Sequence, residues 1–335
     1  MTKKILSIDG GGIKGIIAAH ILAYLESEKQ KTKPEYRISD SFDLIAGTST
    51  GAIIAMGLLI PNDQNGSNIK VKYLASELED LYINNGNNIF ETNWIKKRAA
   101  MVYDEIYEAK NLETCLSNYF TNTQLSHLVK PCLVTAYDIF NRNAFFFNSV
   151  DARKSNTHDF KVKDVARATS AAPTYFETSQ IKSADGLLYT LVDGGLVANN
   201  PTACALVELI KIEKKVGNDI DINEITIVSI GTGVNTTTKK KYVYEDVKNY
   251  GQLEWASPVI DILMSASVET VDYQLKTLYE SIQMPQNYCR VNPQINKASA
   301  EMDDATPQNI DNLVADAKSY IATNLTSLQQ IVNIL

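Results

Sequence analysis

The chain has 335 residues, 44% hydrophobic and 21% charged, the proportions of a globular protein with a buried core rather than of a disordered chain. Its formal net charge of −7 argues against a nucleic-acid polymer as partner, which needs Lys and Arg to displace counterions, and against membrane docking driven by charge. Any membrane contact is expected to be transient, peripheral and made by apolar side chains. Lys3 and Lys4 precede the apolar run Ile5–Ile8, but Asp9 ends that run too early for the core of a signal peptide. No stretch of about 18 apolar residues follows, so no transmembrane helix is expected. Cys115, Cys132, Cys204 and Cys289 are far apart, show no CxxC spacing and read as reduced, mostly core residues. The cytoplasm is the expected location.

Ile5–Ile8 predicts a buried strand closed by the turn Asp9-Gly10-Gly11-Gly12. Ile13, Ile16, Ile17, Ile21, Leu22 and Leu25 recur at helical spacing, so an amphipathic helix starts directly at the glycines and runs to about Glu28. Phe42–Ala46 predicts a second strand, Gly47-Thr48-Ser49-Thr50-Gly51 its turn and Ala52–Leu59 an apolar helix. Strand, helix, strand, helix implies a parallel pair with a right-handed crossover. Asn62–Ser67 is a polar loop, and Val71–Phe120 is mostly helical with interruptions near Asn84–Asn88. Pro131–Tyr137 and Ala144–Asn148 are strands joined by a turn at Asn141–Asn143. Leu187–Asp193 and Ile225–Ile230 are further strands, with a helix at Thr202–Lys215 between them. Thr236–Lys241 is a basic loop; Pro258–Thr277 and Thr306–Val332 are helical. No repeat or composition break marks a boundary, so residues 1–335 are expected to form one α/β domain with a helical insertion at about 70–120.

Three segments carry chemistry. Gly47-Thr48-Ser49-Thr50-Gly51 is a G-x-S-x-G pentad in strand–turn–helix context. Such a turn holds Ser49 at an apex and needs Gly47 and Gly51 for its tight backbone, while the Thr50 N–H faces whatever reacts there. A Ser/Thr-rich helix cap is the bland alternative. Asp9-Gly10-Gly11-Gly12-Ile13-Lys14-Gly15 admits two readings. Gly10, Gly12 and Gly15 fit the dinucleotide fingerprint G-x-G-x-x-G, with Glu35 at the distance of a ribose contact. Glu35, however, follows Pro34 rather than ending a strand. The other reading is an oxyanion hole in which Gly11 and Gly12 offer unobstructed N–H groups on the same sheet edge as Ser49. Third, Asp193 ends an apolar strand and precedes Gly194-Gly195, either as a turn aspartate or as an active-site carboxylate. The histidines His20, His127 and His158 lie outside any strand-end glycine setting. His158, in a polar loop, is the one candidate for a triad; otherwise the serine is left with a carboxylate. No ligand cluster for a metal is present.

The ordered motifs Asp9–Gly15, Gly47–Gly51 and Val192–Gly195 resemble the patatin-like phospholipases. So do Ser170-Ala171-Ala172-Pro173-Thr174-Tyr175-Phe176, Ala198–Pro201, Ser229–Gly233 and Asn287-Tyr288, and the likeness spans about residues 5–293. The resemblance implies a three-layer α/β sandwich with a central, mostly parallel sheet flanked by helices, ending in C-terminal helices at about 258–335. It implies an acyl-lipid or phospholipid substrate, no cofactor, Ser49 as nucleophile and Asp193 as its base. Gly10, Gly11 and Gly12 would form the oxyanion loop, and Lys14 falls where the family often has a basic residue. Oligomeric state and a small-molecule activator stay open. So do a silent storage-type protein and a gated effector, such as one switched by cyclic nucleotides in antiviral defence. Phe145-Phe146-Phe147 reads as a membrane anchor or, preferably, as a strand buried on both faces. Trp94, Tyr103, Ile106 and Tyr107 offer a lid or docking surface, with ordinary helix packing as the alternative.

Overall fold

In β1 (Lys3–Ile8), Leu6 and Ile8 enter one hydrophobic core and Ile5 enters another. β2 (Leu44–Gly47) repeats the pattern, with Ile45 in the first core and Leu44 and Ala46 in the second. A strand covered on both faces shows no polar side, so these segments read as continuously apolar. The computed structural model describes residues 2–63, 70–89, 109–234 and 243–335.

Among the described residues one sheet has eight strands. β1 pairs in parallel with β2 and with β7 (Ile225–Ile230), and β7 in parallel with β8 (Tyr288–Val291). β2 pairs in parallel with β3 (Cys132–Asp138). β4 (Asn143–Asn148) and β6 (Leu188–Asp193) run antiparallel to β3, and β5 (Ser179–Lys182) runs antiparallel to β6.

The register along β3 creates the site. β4 accompanies β3 from Leu133 to Asp138 and so fills one of its edges. β2 and β6 must share the other edge. Gly47 of β2 lies opposite Val134, and Asp193 of β6 lies opposite Ala136. The carboxyl ends of two strands running in opposite directions therefore face each other across Thr135.

Helices cover both faces. The first core takes side chains from α1 (Gly15–Gln30), α2 (Thr50–Gly57), α3 (Ala75–Ile89), α4 (Ala109–Phe120) and α5 (Val162–Thr169). The second is closed by α6 (Thr202–Lys215) and by Leu275 and Tyr279 of α7 (Gln252–Ser281). α8 (Pro307–Thr323) and α9 (Leu325–Ile334) return to the first core. This is the expected three-layer sandwich with a mostly parallel sheet. Among the described residues no helix is long and apolar enough to cross a membrane.

Some local expectations change. α3 runs unbroken through Asn84–Asn88. Asn85 Nδ2 donates to Leu81 O at 2.8 Å, and a side chain on Gly86 would strike Ile13, so packing keeps helical what propensity would interrupt. Phe145–Phe147 is buried on one face only. Phe147 is 1% exposed and Phe146 42%, because successive residues of a strand point to opposite faces and only the face carrying Phe145 and Phe147 meets the core. The final helical stretch is split at Asn324. Part of the Asn62–Ser67 loop, the Thr236–Lys241 loop, Trp94, Tyr103, Ile106 and Tyr107 lie outside the described residues.

Candidate active site

Ser49 joins β2 to α2 with φ 52° and ψ −123°, a conformation that costs a residue bearing a side chain about 1–3 kcal/mol. The turn is too tight for side chains on either flank. A Cβ on Gly47 would lie 2.4 Å from Gly51 O, and one on Gly51 would lie 2.3 Å from Ile8 O. Thr169, at the end of α5, holds the strained turn. Its hydroxyl accepts from Ser49 N–H at 2.9 Å and donates to Thr135 O at 2.7 Å.

Asp193 arrives from the opposing strand. Ser49 Oγ donates to Asp193 Oδ2 at 2.7 Å, and Gly195 N–H donates to Oδ1 at 2.6 Å. The Asp193 N–H is tied to Ala171 O at 3.0 Å, and Gly194 packs against Thr135 with no room for a side chain. Asp193 is 1% exposed, and burial pushes its carboxyl up to about 7 although both hydrogen bonds pull it down.

The glycine turn of β1 closes the third side. Gly10 sits against Ser49, where a Cβ would lie 3.3 Å from the serine's own. Its N–H donates to Asn199 O at 3.0 Å, and its carbonyl accepts from Thr232 Oγ1 at 2.9 Å. Gly10 is thus a support rather than a free donor. The N–H groups of Gly11, Gly12 and Thr50 donate to no protein acceptor among the described residues. Gly12 has φ 59°, and its backbone passes so close to Met302 O that only glycine fits. Below the turn, Asp9 accepts from both terminal nitrogens of Arg290, at 3.1 and 2.5 Å. Gly15 packs against Thr50 Oγ1, joining the starts of α1 and α2. Lys14 is half-buried at the end of the turn and does not line the cavity.

Ser49, Thr50, Gly12 and Asp193 share one cavity, whose walls are mainly apolar. Leu81, Tyr82 and Ile89 of α3 face it, as do Leu112 and Leu116 of α4. Thr50 Oγ1 donates to Tyr82 OH at 2.7 Å, and that hydroxyl donates back to Thr50 O at 2.9 Å. No histidine lines the cavity: His20 pairs with Glu79 at 2.6 Å, and His127 and His158 are exposed. Glu35 is exposed beside Lys70 at 3.0 Å rather than at a strand end, which leaves the dinucleotide reading without its ribose contact.

The sequence does not mark out Thr135, Thr169 or Arg290. The signal for Thr169 is weak, a polar pair Thr169-Ser170 closing an apolar helical pattern. For Thr135 and Arg290 there is none, because their roles come from strand register.

Fold and site together define an α/β protein with a serine–carboxylate pair at the foot of an apolar cavity. The family model for patatin-like phospholipase matches residues 6–206, and the chain belongs to that family of lipid acyl hydrolases. It is 33% identical to Patatin-like protein 2 of Oryza sativa, over 96% of this chain and 84% of that one. Patatin-like protein 2 of Arabidopsis thaliana is 32% identical, over 92% and 80%. A Solanum tuberosum relative described as "Probable inactive patatin-3-Kuras 1" is 28% identical, over 96% and 87%. VipD from Legionella pneumophila, a solved structure, matches at TM-score 0.36 and 13% identity, over 95% of this chain and 67% of that one.

Proposed function

We propose that this chain is a serine acyl hydrolase of the phospholipase A type, with Ser49 as nucleophile and Asp193 as its general base. The observation that carries this reading is the 2.7 Å hydrogen bond from Ser49 Oγ to a buried carboxylate beneath an apolar cavity. Asp193 takes the hydroxyl proton as Ser49 Oγ attacks the ester carbonyl carbon. The N–H groups of Gly11, Gly12 and Thr50 stabilise the oxyanion, and the α2 dipole adds to them. The ester bond breaks, the alcohol leaves with the proton from Asp193, and the acyl group stays on Ser49. Water then attacks, Asp193 takes its proton, and the fatty acid is released. A base held up to about 7 removes the need for an imidazole near neutral pH.

The apolar walls suit a fatty-acyl chain, and among the described residues they offer a head group no cationic side chain, so selection rests on the chain. The 335 residues act in this reading as one catalytic domain, working in the cytoplasm with transient peripheral contact at a membrane. A silent, storage-type role fits less well, because the serine, its carboxylate and three free N–H donors are all in place.

The test is fatty-acid release from phosphatidylcholine in mixed micelles. Wild type should release it and Ser49→Ala should not; equal release by both rules Ser49 out.

A further inference from the structure

The cavity wall that would receive the acyl chain is apolar, yet one of its residues carries a buried hydroxyl. Tyr82 of α3 lines the cavity with Leu81, Gly86 and Ile89 and is 5% exposed. A phenylalanine would complete the wall at no cost in polar desolvation, whereas a buried hydroxyl must be hydrogen-bonded. Burial also pushes the Tyr82 phenol up, so it keeps its proton and can donate. Both of its hydrogen bonds go to one residue. Tyr82 OH donates to Thr50 O at 2.9 Å and accepts from Thr50 Oγ1 at 2.7 Å.

Thr50 is the first residue of α2 and follows the nucleophile directly. The peptide joining Ser49 to Thr50 carries the Thr50 N–H, one of the groups that meet the oxyanion in the reading above. Its orientation depends on what holds the chain on each side. On one side Thr169 accepts from the Ser49 N–H at 2.9 Å. On the other, Tyr82 holds Thr50 by its side chain and by its carbonyl. A Cβ on Gly15 would lie 2.2 Å from Thr50 Oγ1, so the start of α1 packs directly on that hydroxyl. Oxyanion donors are effective because they are fixed before the charge develops and reorganise little when it does.

We infer that Tyr82 is a positioning residue whose hydroxyl fixes Thr50, so that the Thr50 N–H meets the oxyanion formed when Ser49 attacks. This rests on the acyl-enzyme reading above. The tie joins the wall that takes the acyl chain to the hole that takes the oxyanion. Tyr82 acts through Thr50 and neither gains nor loses a proton. The oxyanion carries charge in the transition state, and the carbonyl of the bound ester carries little. Loss of the tie therefore appears in kcat rather than in KM.

Removing an oxyanion donor outright costs about 100- to 1,000-fold in kcat, and loosening one should cost less. In Tyr82→Phe, kcat for p-nitrophenyl butyrate should fall about ten-fold, with KM within about two-fold of wild type. An alkyl trifluoromethyl ketone, to which Ser49 adds to leave an oxyanion in the hole, should bind Tyr82→Phe about ten-fold more weakly. The matching methyl ketone, which forms no such adduct, should bind both proteins alike. Thr50→Ser keeps the hydroxyl and should retain most of kcat, whereas Thr50→Val loses it and should behave like Tyr82→Phe. Because those last two changes break the same tie, the double variant should lose less than the product of the single losses. An unchanged kcat in Tyr82→Phe, equal weakening of both ketones, a change confined to KM, or losses that multiply would overturn the assignment. If Tyr82→Phe does not fold, Thr50→Val decides on the same pair of ketones. A wild type that neither hydrolyses the ester nor binds the trifluoromethyl ketone would instead sink the hydrolase reading itself.

Discussion

Burial sets the chemistry of Asp193. Its ordinary value is 3.8, and the fold raises it to about 7. The folded state therefore favours the protonated carboxyl. The stability this provides is present below the unfolded value and is lost as pH rises through about 7. Asp193→Asn is neutral at every pH, so its melting temperature should exceed that of wild type most at about pH 8 and less at about pH 5. Thermal melts at both values check this; a gap that is constant or widest in acid contradicts it. The same ionisation should appear in catalysis as a kcat/KM that climbs with pH to a plateau above about 7. Ser49 was legible because its strained turn demands glycines, and glycines show in a sequence. Thr135 was not, since a lone hydroxyl in an apolar run looks the same whether it is buried in a site or merely tolerated.

Among elements, the strands with clear apolar runs were legible and the four-residue β5 and β8 were not. β8 carries Arg290 in its interior, which breaks the apolar pattern because that arginine is there to meet Asp9. β5 alternates buried and exposed over four residues, too few to read as a period. α3 and α4 matter for selectivity, since Leu81, Ile89, Leu112 and Leu116 wall the cavity. Leu112→Trp adds bulk to that wall. It should lower kcat/KM for long-chain p-nitrophenyl esters about ten-fold or more relative to the butyrate, because lost apolar contact scales with the chain displaced. Equal effects on both esters would place the acyl chain elsewhere.

For the whole molecule, the family match over residues 6–206 understates what builds the site. Thr232 and Met302 brace the glycine turn, and Arg290 holds Asp9 beneath it. Asp9 is 2% exposed and the Arg290 side chain 11%. Removing one partner of such a pair strands the other charge. Arg290→Met should therefore cost about 3–5 kcal/mol in chemical denaturation, and Asp9→Asn combined with Arg290→Met should cost less than Arg290→Met alone. A double variant worse than the single would contradict this. The parallel pairing of β1 with β2 followed from apolar periodicity, and the layers from the resemblance to the patatin-like phospholipases. The head-to-head meeting of β2 and β6 did not, because pairing across 144 residues leaves no local trace. That meeting is the centre of the account, and fluorophosphonate labelling read by intact mass and peptide mapping tests it most directly. Wild type should gain a single adduct on Ser49, Ser49→Ala none, and Asp193→Asn should label at least about 100-fold more slowly. An adduct that persists in Ser49→Ala, or wild-type labelling speed in Asp193→Asn, would contradict it.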